Sequence, residues 1–412
     1  MSHQTVSRRD LLKGGAAAWT GLSMLEVAGP EQAFGQTGGT VIPWLDQPGP
    51  NPAPPQILDK LLDWQGLNSW TTPANDFFKV THYGVPGGLN ESAWRLEIDG
   101  MVARPRTLTM ADIKARPLQE VDFTLECSGN HGFPFFIGGI GNARWGGARL
   151  APLLEQANVL DGATEVIFWG LDRGEVAVRD NGGVVSAGQS GTGQPDAGGG
   201  LDLTFTEQFA RSMSLEEALS RENLLCYQMN GSRLPDDNGF PLRLIAPGWY
   251  GVANVKWLTR IEVTNRRFTG RFMARDYVTI REGRRNGQTV WTFSTVGRAR
   301  LKSAPAKVTR TGNRYTVMGA AWGAPVAGVE VQIDNGPWQA ATLDTSSSAA
   351  ARRFAWRFWT FDWSPGAGEH TVRSRAIDLE GNLQPAPDDA FLASKRTYWE
   401  GNGQITRRVM IA

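Results

Sequence analysis

The chain is poor in the residues that build covalent cross-links and metal clusters. Its 412 residues contain two cysteines, Cys127 and Cys226, and four histidines. A framework of several disulfides or a multi-cysteine zinc site therefore cannot be built. The histidines show no metal-ligand spacing, which disfavours zinc chemistry. One Cys127–Cys226 disulfide remains an alternative if the protein is exported.

Net charge and long apolar runs are also scarce. The chain has 42 basic and 41 acidic residues, a net charge of +1, which gives no long-range attraction for nucleic acid or an anionic membrane surface. We expect no nucleic-acid binding. The apolar stretch before Ala28 is shorter than the ~20 residues of a spanning helix, so we expect no membrane span. Length and an apolar content of 41% favour a packed globular protein of two domains.

The N-terminal residues carry an export pattern. Ser7-Arg8-Arg9-Asp10-Leu11-Leu12-Lys13 precedes an apolar stretch, and small residues follow near Ala33-Phe34-Gly35. This order is typical of a twin-arginine signal, and a basic N-terminal tail is the alternative. We predict that residues 1–35 are a removable signal handled by the twin-arginine export machinery, which implies a periplasmic location. Residues 36–73 are predicted as a linker and N-terminal extension, because Gly and Pro are frequent up to residue 55.

The most informative stretch is Val-Asp-Phe-Thr-Leu-Glu-Cys-Ser-Gly-Asn, residues 121–130. Val121, Phe123 and Leu125 alternate with polar residues, which predicts a half-buried strand that ends at Cys127 before a sharp turn. A thiolate at a strand end can ligate a metal or act as a nucleophile. The alternative is a small buried core residue, which is also the simplest interpretation of Cys226.

Further elements can be placed from local pattern. Residues 109–115 are predicted as a short helix with Thr109 as its N-cap, and residues 150–157 as a second helix. A buried strand is predicted from Glu165 to Trp169, ending at Gly170-Leu171-Asp172. Residues 180–200 are rich in Gly, Ser, Asn and Gln, which predicts a long mobile loop.

The sequence pattern changes after Tyr315, where short apolar stretches of strand length recur. Asn335-Gly336 separates two such strands and is a strong signal for a two-residue hairpin turn. Strands at this spacing predict a small β-sandwich. Residues 354–363 contain Phe354, Trp356, Phe358, Trp359 and Phe361. These are more aromatic residues than one sheet face is expected to bury, so we expect an exposed patch that forms a homodimer contact.

Three motifs together resemble the sulfite oxidase family. They are Glu126-Cys127-Ser128-Gly129-Asn130, then Gly141-Asn142-Ala143-Arg144-Trp145-Gly146-Gly147, and then Met229-Asn230-Gly231 through Pro241-Leu242-Arg243, Ala246-Pro247-Gly248 and Val255-Lys256-Trp257. The resemblance implies an α+β fold with two parts. A mixed α/β molybdopterin-binding catalytic domain at residues 74–290 is followed by an immunoglobulin-like dimerisation sandwich at residues 291–412.

The resemblance also implies a cofactor, molybdenum–molybdopterin with one molybdenum per chain, and no haem in this chain. Cys127 is the implied metal ligand, and Tyr277 is the implied second catalytic residue. The implied cofactor contacts are Phe78, Lys79, Val80, Thr81, His82, Asp172, Asn238, Arg243, Asn254, Val255 and Lys256. Amide and charged side chains of these types suit the pterin ring and its phosphate.

Several positions depart from the family pattern, and these positions bear on which substrate the protein binds. Val80, Gly132 and Asn402 stand where sulfite-oxidising relatives carry arginines, and Phe135 stands where they carry a tryptophan. Arg144 or Arg275 are candidates to compensate for the lost charge. The Cys-Ser-Gly-Asn-x-Gly form is most similar to the sulfane dehydrogenase and sulfite dehydrogenase branch.

This similarity implies oxidation of a reduced sulfur compound, either sulfite or sulfane sulfur bound to a carrier, by oxygen-atom transfer. Electrons would pass to a separate c-type cytochrome. Two alternatives stay open at this point. One is a sulfoxide-type reductase on the same fold, and the other is a non-enzymatic binding protein that has lost the metal.

Overall fold

The computed structural model describes residues 39–178 and 203–412. The predicted export signal and the predicted loop at 180–200 lie outside these residues. Within them, no helix combines the length and the apolar composition needed to cross a membrane.

The described chain is mostly β-structure. The strands are β1 Thr40–Ile42, β2 Leu58–Asp59, β3 Lys79–Val80, β4 Arg95–Gly100, β5 Arg106–Thr109, β6 Gln119–Glu126, β7 Ile140–Arg149, β8 Glu165–Val178, β9 Leu203–Ser214, β10 Leu224–Met229, β11 Ser232–Arg233, β12 Arg243–Ile245, β13 Leu258–Thr264, β14 Val278–Arg285, β15 Gln288–Thr295, β16 Lys302–Thr311, β17 Arg314–Trp322, β18 Val326–Ile333, β19 Gln339–Ala340, β20 Thr342–Leu343, β21 Arg357–Trp363, β22 Gly368–Asp378 and β23 Ile405–Ile411. The α-helices are α1 Met110–Lys114, α2 Ala151–Ala157, α3 Leu215–Ala218, α4 Arg271–Ala274 and α5 Ala390–Ala393. Short 3₁₀ turns lie at Asp236–Asn238, Gly251–Ala253 and Ala351–Arg353.

Two sheets build the N-terminal part. The site sheet has the order β11-β10-β7-β6, with β12 paired to β10, and the outer sheet has the order β5-β4-β13-β8-β9. Strand β6 follows the predicted alternation only in part, because its last four residues are all buried. Phe123 and Leu125 pack with Trp145 in a core beneath Cys127. The predicted strand up to Cys127 is confirmed.

The predicted helices are also confirmed, within one residue at their ends. Thr109 caps α1 through a reciprocal capping box with Asp112. The Thr109 hydroxyl accepts a hydrogen bond from the Asp112 amide, and the Asp112 carboxylate accepts one from the Thr109 amide. Such a box satisfies two amide groups that a helix start would otherwise leave unpaired.

The C-terminal part is a sandwich of two sheets. One sheet has the order β1-β16-β17-β21-β20 and the other β19-β18-β22-β23. Their inner faces meet in a core that includes Val317, Val329 and Trp359. The predicted hairpin is confirmed, since β18 and β19 pair. The predicted two-residue turn is wrong, because residues 334–338 separate the two strands and the Gly336 amide donates to Ile333 O. Asp334 begins this turn with a positive φ of 55°.

Three sequence-based predictions differ from the structure. The expected exposed aromatic patch is wrong: Trp356, Phe358 and Trp359 are at most 1% exposed, because both faces of β21 are covered within the monomer. Strand β8 does not end at Trp169 but continues to Val178 through a bulge. Part of the predicted linker is a sandwich strand, since β1 pairs with β16.

The N-terminal extension also supplies core side chains. Trp64, Leu67 and Trp70 are each at most 9% exposed and pack against Trp322 and Trp356 of the sandwich. The Gly and Pro content of the extension did not predict this packing, because the buried contacts are made by tryptophans that are widely spaced along the chain. The extension is thus packed onto the sandwich rather than acting as a spacer.

A buried ion pair joins the two parts of the chain. Lys302, the first residue of β16, donates from Nζ to Glu126 Oε1 at 2.5 Å, and the two side chains are 0% and 1% exposed. Trp322 Nε1 donates to Glu126 Oε2 at 2.9 Å, and Asn130 Nδ2 donates to Glu126 Oε1 at 3.0 Å. The carboxylate next to Cys127 is thus held by the sandwich.

We expect Lys302→Met to destabilise the protein strongly, because it leaves the Glu126 carboxylate buried without its cation. Removing one partner of a buried pair costs about 3–5 kcal/mol. Arg314→Met is the matched control, since the Arg314–Asp362 pair is largely exposed, at 83% and 74%. Urea unfolding of both variants measures the difference. Equal midpoints for Lys302→Met and the control would contradict the expectation.

Candidate functional site

One cavity lies where the end of β6, the bulge of β8 and the start of β14 meet. It is lined by Phe78, Val80, Thr81, His82, Leu125, Cys127, Asp172, Phe209, Asn238, Arg243, Gly251, Val252, Asn254, Lys256, Trp257 and Tyr277. The cavity therefore gathers residues that are widely separated along the chain.

All of the predicted site residues except Lys79 and Val255 line this cavity. The Lys79 ammonium lies 3.8 Å from Asp237 and 4.0 Å from Asp59, in an ion-pair cluster. Val255 is 1% exposed and packs in the hydrophobic core. The structure brings the other predicted residues together, while their roles toward a cofactor stay predictions.

Cys127 sits on the turn that follows β6. Its amide donates to Gly139 O at 2.8 Å, and its carbonyl accepts from the Asn130 amide at 2.9 Å. The side chain is 8% exposed and lines the cavity. Burial raises the pKa of the Cys127 thiol to about 11. The thiol is therefore protonated at neutral pH in the protein alone, and a bound metal would have to displace that proton.

Both cysteines are free, so the single-disulfide alternative is wrong. Cys226 lies in β10 with no exposed surface and packs in the same hydrophobic core as Phe123 and Leu125, as its apolar surroundings predicted. Among the described residues, no group of three or more His, Cys, Asp or Glu side chains is arranged to hold a metal ion. Cys127 is the candidate metal ligand that faces the cavity.

His82 and Tyr277 form a hydrogen bond in the cavity wall, with 2.8 Å between Nε2 and Oη. Burial, with Lys256 and Arg271 nearby, lowers the pKa of His82 to about 3. Burial also raises the pKa of Tyr277 well above its usual range, and Cys127 adds to this effect. Both groups are neutral at pH 7, so Tyr277 can act as a hydrogen-bond donor or acceptor.

Tyr277 is held in a conformation that few side chains adopt. Its φ is 59°, in the left-handed region, where a bulky residue is unusual. The Tyr277 ring stacks on Trp399, with 4.2 Å between the ring centroids. The Val296 amide donates to the Tyr277 carbonyl at 2.8 Å. Strain of this kind persists only where surrounding structure holds it and is concentrated at functional sites.

Three buried polar atoms of the lining have no hydrogen-bond partner within the described part of the chain. They are Asp172 Oδ1, Asn238 Nδ2 and Arg243 Nε. Burial raises the pKa of Asp172 to about 6. The bulge in β8 is what turns this carboxyl toward the cavity, since the strand register shifts between Trp169 and Arg173. Unpaired buried polar atoms are costly, which indicates that a polar ligand normally meets them.

Arg243 and Lys256 supply positive charge on the same side. Arg243 donates to Asn238 O at 2.8 Å and to Asn254 O at 3.0 Å. Lys256 Nζ donates to Val80 O at 3.0 Å and to Asp237 O at 2.9 Å. Burial, with Arg243 beside it, lowers the pKa of Lys256 to about 7. This corner would therefore bind an anionic group favourably.

Sequence reasoning missed Leu125, Phe209, Gly251, Val252 and Trp257. Leu125 lies two residues before Cys127 on the same strand face, so the alternation could have identified it. Trp257 follows Lys256 in a motif already recognised. Phe209 reaches the cavity only through the pairing of β8 with β9, and no local pattern indicates it.

The positions that depart from the family pattern do not all reach the cavity. Val80 lines it, whereas Gly132 packs so tightly that a Cβ would lie 2.4 Å from Tyr398 O. Asn402 is 7% exposed and lines a neighbouring groove with Arg298 and Arg300.

The proposed compensating arginines are also elsewhere. Arg144 is exposed and forms a bidentate pair with Asp122 on the site sheet. Arg275 is exposed, and neither residue is among those that line the cavity. Phe135 stacks on Phe133, with 5.3 Å between centroids, and Phe133 contacts Tyr398. The surroundings of Cys127 are therefore aromatic rather than arginine-rich.

Two domain families match the chain. The oxidoreductase molybdopterin-binding domain matches residues 82–188 and 192–272, and the Mo-co oxidoreductase dimerisation domain matches residues 298–405. The two matches follow each other in the order of the α/β part and the sandwich. The second domain supports the expected homodimer.

Known proteins and structures agree with these matches. The sulfite oxidase of Gallus gallus is 31% identical over 347 residues, covering 76% of this chain and 68% of that protein. The mitochondrial sulfite oxidase of Homo sapiens is 29% identical over 399 residues, covering 86% of this chain and 66% of that protein. The chain thus spans about two thirds of these relatives.

The crystal structure of the sulfane dehydrogenase SoxCD from Paracoccus pantotrophus superimposes with a TM-score of 0.70, at 22% identity. The superposition covers 91% of this chain and 90% of that chain. At this identity the likeness shows a shared fold, a molybdopterin-binding domain followed by an immunoglobulin-like sandwich. Together with the sulfite oxidase relatives and the domain matches, it leads to one conclusion: the chain belongs to the sulfite oxidase family of molybdopterin oxidoreductases.

Proposed function

We propose that the protein is a periplasmic molybdenum enzyme that oxidises a reduced sulfur compound and passes the electrons to a separate c-type cytochrome. One observation carries this proposal. The Cys127 thiol faces a cavity whose wall also holds Tyr277 and whose floor holds buried, unpaired polar atoms. The relatives named sulfite oxidase and sulfane dehydrogenase support a sulfur substrate.

The residues present fit a molybdopterin cofactor. Asp172 Oδ1, Asn238 Nδ2 and Arg243 Nε offer unpaired acceptor and donor atoms, which a pterin ring could satisfy through its own donors and acceptors. Lys256 and Arg243 would hold the phosphate by charge-assisted hydrogen bonds. Cys127 would supply the thiolate to molybdenum, a soft ligand suited to a transition metal.

When bound, the molybdenum centre would exchange oxygen and accept electrons. Over one turnover the sulfur compound would gain one oxygen atom from water, and two protons and two electrons would be released. The chain's own residues position the reactants. Tyr277, fixed by His82 and by the Trp399 ring, presents a neutral hydroxyl to the cavity. Phe209, Leu125 and Val252 provide an apolar wall that limits water around the sulfur.

The favoured substrate is a bulky sulfur compound of low charge, such as sulfane sulfur bound to a carrier. Val80 lines the cavity, and the family resemblance implies an arginine at this position in sulfite-oxidising relatives. Arg243 and Lys256 line it too, but the proposed cofactor phosphate would engage both of them. A free dianion would therefore find few available cationic donors, and each missing charge-assisted contact is worth about 1.5–3 kcal/mol.

Location and electron acceptor rest on the sequence. The twin-arginine pattern at Ser7–Lys13 supports export of a protein that has already folded around its cofactor. Neither Cys127 nor Cys226 lies in a Cys-x-x-Cys-His haem attachment motif. The proposed electron acceptor is a separate periplasmic c-type cytochrome, which suits one-electron transfer.

We expect Cys127→Ser to abolish sulfur oxidation and to lower or alter bound molybdenum, because a hydroxyl is a poorer metal ligand than a thiolate at neutral pH. Cys226→Ser is the matched control, because it also removes a buried thiol but leaves the cavity wall intact. Metal analysis and the absorption spectrum of both purified variants provide the measurement. An unchanged spectrum and full activity in Cys127→Ser would refute its role as ligand.

Sulfite should be a poor substrate with a high KM. Val80→Arg should lower the sulfite KM about tenfold or more, since a guanidinium beside an oxyanion adds a charge-assisted hydrogen bond. Val80→Met, of similar length but neutral, is the control. Steady-state assays with sulfite, thiosulfate and a persulfidated carrier make the comparison. Micromolar sulfite KM with rapid turnover in the wild type would reject the substrate argument and leave the metal assignment standing.

The stability of the cofactor-free protein should rise with pH between about 7 and 10.5. The folded pKa of Lys256 is lowered to about 7 from 10.5, so in this window the unfolded chain binds a proton that the folded chain does not. Lys256→Met should lack this gain, whereas Lys114→Met, an exposed lysine, should keep it.

Melting temperatures of the three proteins at pH 7, 8 and 9 measure this difference. Loading the cofactor should flatten the wild-type slope, because a phosphate beside Lys256 stabilises its charged form. Equal slopes for cofactor-free wild type and Lys256→Met would rule out this account of Lys256.

A further inference from the structure

A two-stranded ribbon extends from the cavity wall to the surface. It comprises β14 and β15, residues 278–295, and is called the arginine ribbon below. All eight residues of β14 pair with β15. The ribbon begins directly after Tyr277, and the hydrogen bond from Val296 to the Tyr277 carbonyl closes its base. The base of the ribbon therefore adjoins the cavity wall, whereas its tip lies roughly 25 Å further out at the rise of ~3.3 Å per strand residue.

The outer strand of the ribbon has an unprotected edge. Within the described residues, β15 pairs with β14 and with no other named strand. Its sequence, Gln-Thr-Val-Trp-Thr-Phe-Ser-Thr, contains neither charge nor proline, the features that normally prevent edge strands from associating. Trp291 and Phe293 are 52% and 68% exposed. They alternate along the strand, so they share one face.

Positive charge is concentrated around this edge. Residues 266–300 contain nine arginines and two acidic residues, in a chain whose net charge is +1. Four of the arginines form ion pairs, namely Arg267, Arg271, Arg298 and Arg300. The structure shows no ion pair, within the described residues, for Arg266, Arg275, Arg281, Arg284 and Arg285. Arg284 and Arg285 are exposed at the ribbon tip.

A second copy of the chain is a poor occupant for this surface. A two-fold contact places the same patch on both sides, so an arginine-rich ribbon would face an arginine-rich ribbon. Like charges brought together across an interface cost several kcal/mol. An acidic protein would instead gain from the charge, and its apolar centre could cover Trp291 and Phe293. Aromatic residues surrounded by arginines are typical of the centres of protein interfaces.

We propose that the arginine ribbon is the docking surface for an acidic, electron-accepting protein. This inference rests on the proposed function, which requires an external acceptor. Each sulfur oxidation releases two electrons, and two one-electron acceptors would dock in turn to remove them. Because electron transfer weakens steeply with distance, an acceptor should bind near the base of the ribbon, where Phe293 pairs with Ile280, three residues after Tyr277.

The test compares acceptors of different charge on the holoenzyme. The probes are a c-type cytochrome of net negative charge, one of net positive charge, and ferricyanide, which needs no protein docking surface. The variants are Arg284→Glu/Arg285→Glu and Trp291→Ser/Phe293→Ser. The matched controls are Arg314→Glu, at an exposed arginine on the sandwich, and Leu379→Ser, whose leucine is 69% exposed.

Both ribbon variants should raise the KM for the acidic cytochrome about tenfold or more, and the charge reversal should also weaken its salt dependence. Ferricyanide turnover and molybdenum content should stay at wild-type level. The controls should behave as wild type with every acceptor. The basic cytochrome should be reduced slowly by the wild type and faster by Arg284→Glu/Arg285→Glu.

The other outcomes distinguish failure of the docking-surface proposal from failure of the proposed function. Normal ferricyanide turnover with an unchanged cytochrome KM in both ribbon variants would overturn the docking surface alone, as would failure of the wild type to reduce the acidic cytochrome. A fall in molar mass of the ribbon variants by light scattering would assign the surface to a second copy instead. Absence of sulfur-dependent ferricyanide reduction in the wild type would overturn the proposed function itself.

Discussion

The candidate site depends on one buried ion pair, between Glu126 and Lys302. Removing two charges from water costs several kcal/mol per ion, and here that cost is offset by hydrogen bonds from Trp322 and Asn130 to the same carboxylate. Glu126 is the residue before Cys127, while Lys302 begins the sandwich. The position of the thiol is therefore set by a domain that supplies no side chain to the cavity lining.

This arrangement explains why the two parts of the chain behave as one structure. Thr124, on the strand that leads to Cys127, donates its amide to Phe354 O at 3.1 Å and accepts from the Trp356 amide at 2.7 Å. The N-terminal extension fills the space between them with Trp64 and Trp70. A sandwich that only joined two copies would not need such contacts. In this chain the sandwich holds the turn that carries the cysteine.

The limits of sequence reasoning follow from which interactions are local. The strand before Cys127, the Thr109 cap and the presence of a hairpin near Asn335 are set by neighbours along the chain, so the sequence pattern predicts them. The order of the family motifs along the chain predicted most of the residues that line the cavity. The bulge that turns Asp172 inward, the approach of Phe209 and the burial of Trp356 depend on pairing between distant strands. Composition likewise gave no sign that Trp64 and Trp70 anchor the supposed linker.

The contact between Glu400 and the cysteine turn bears on the timing of assembly. The Glu400 amide donates to Ser128 O at 2.7 Å, and Trp399 covers Tyr277. Segments far apart along the chain thus enclose the site together. A chain synthesised only through the molybdopterin-binding part lacks the Trp399 side of this wall. The cavity is therefore completed only after the sandwich has been made and has packed against the cysteine turn.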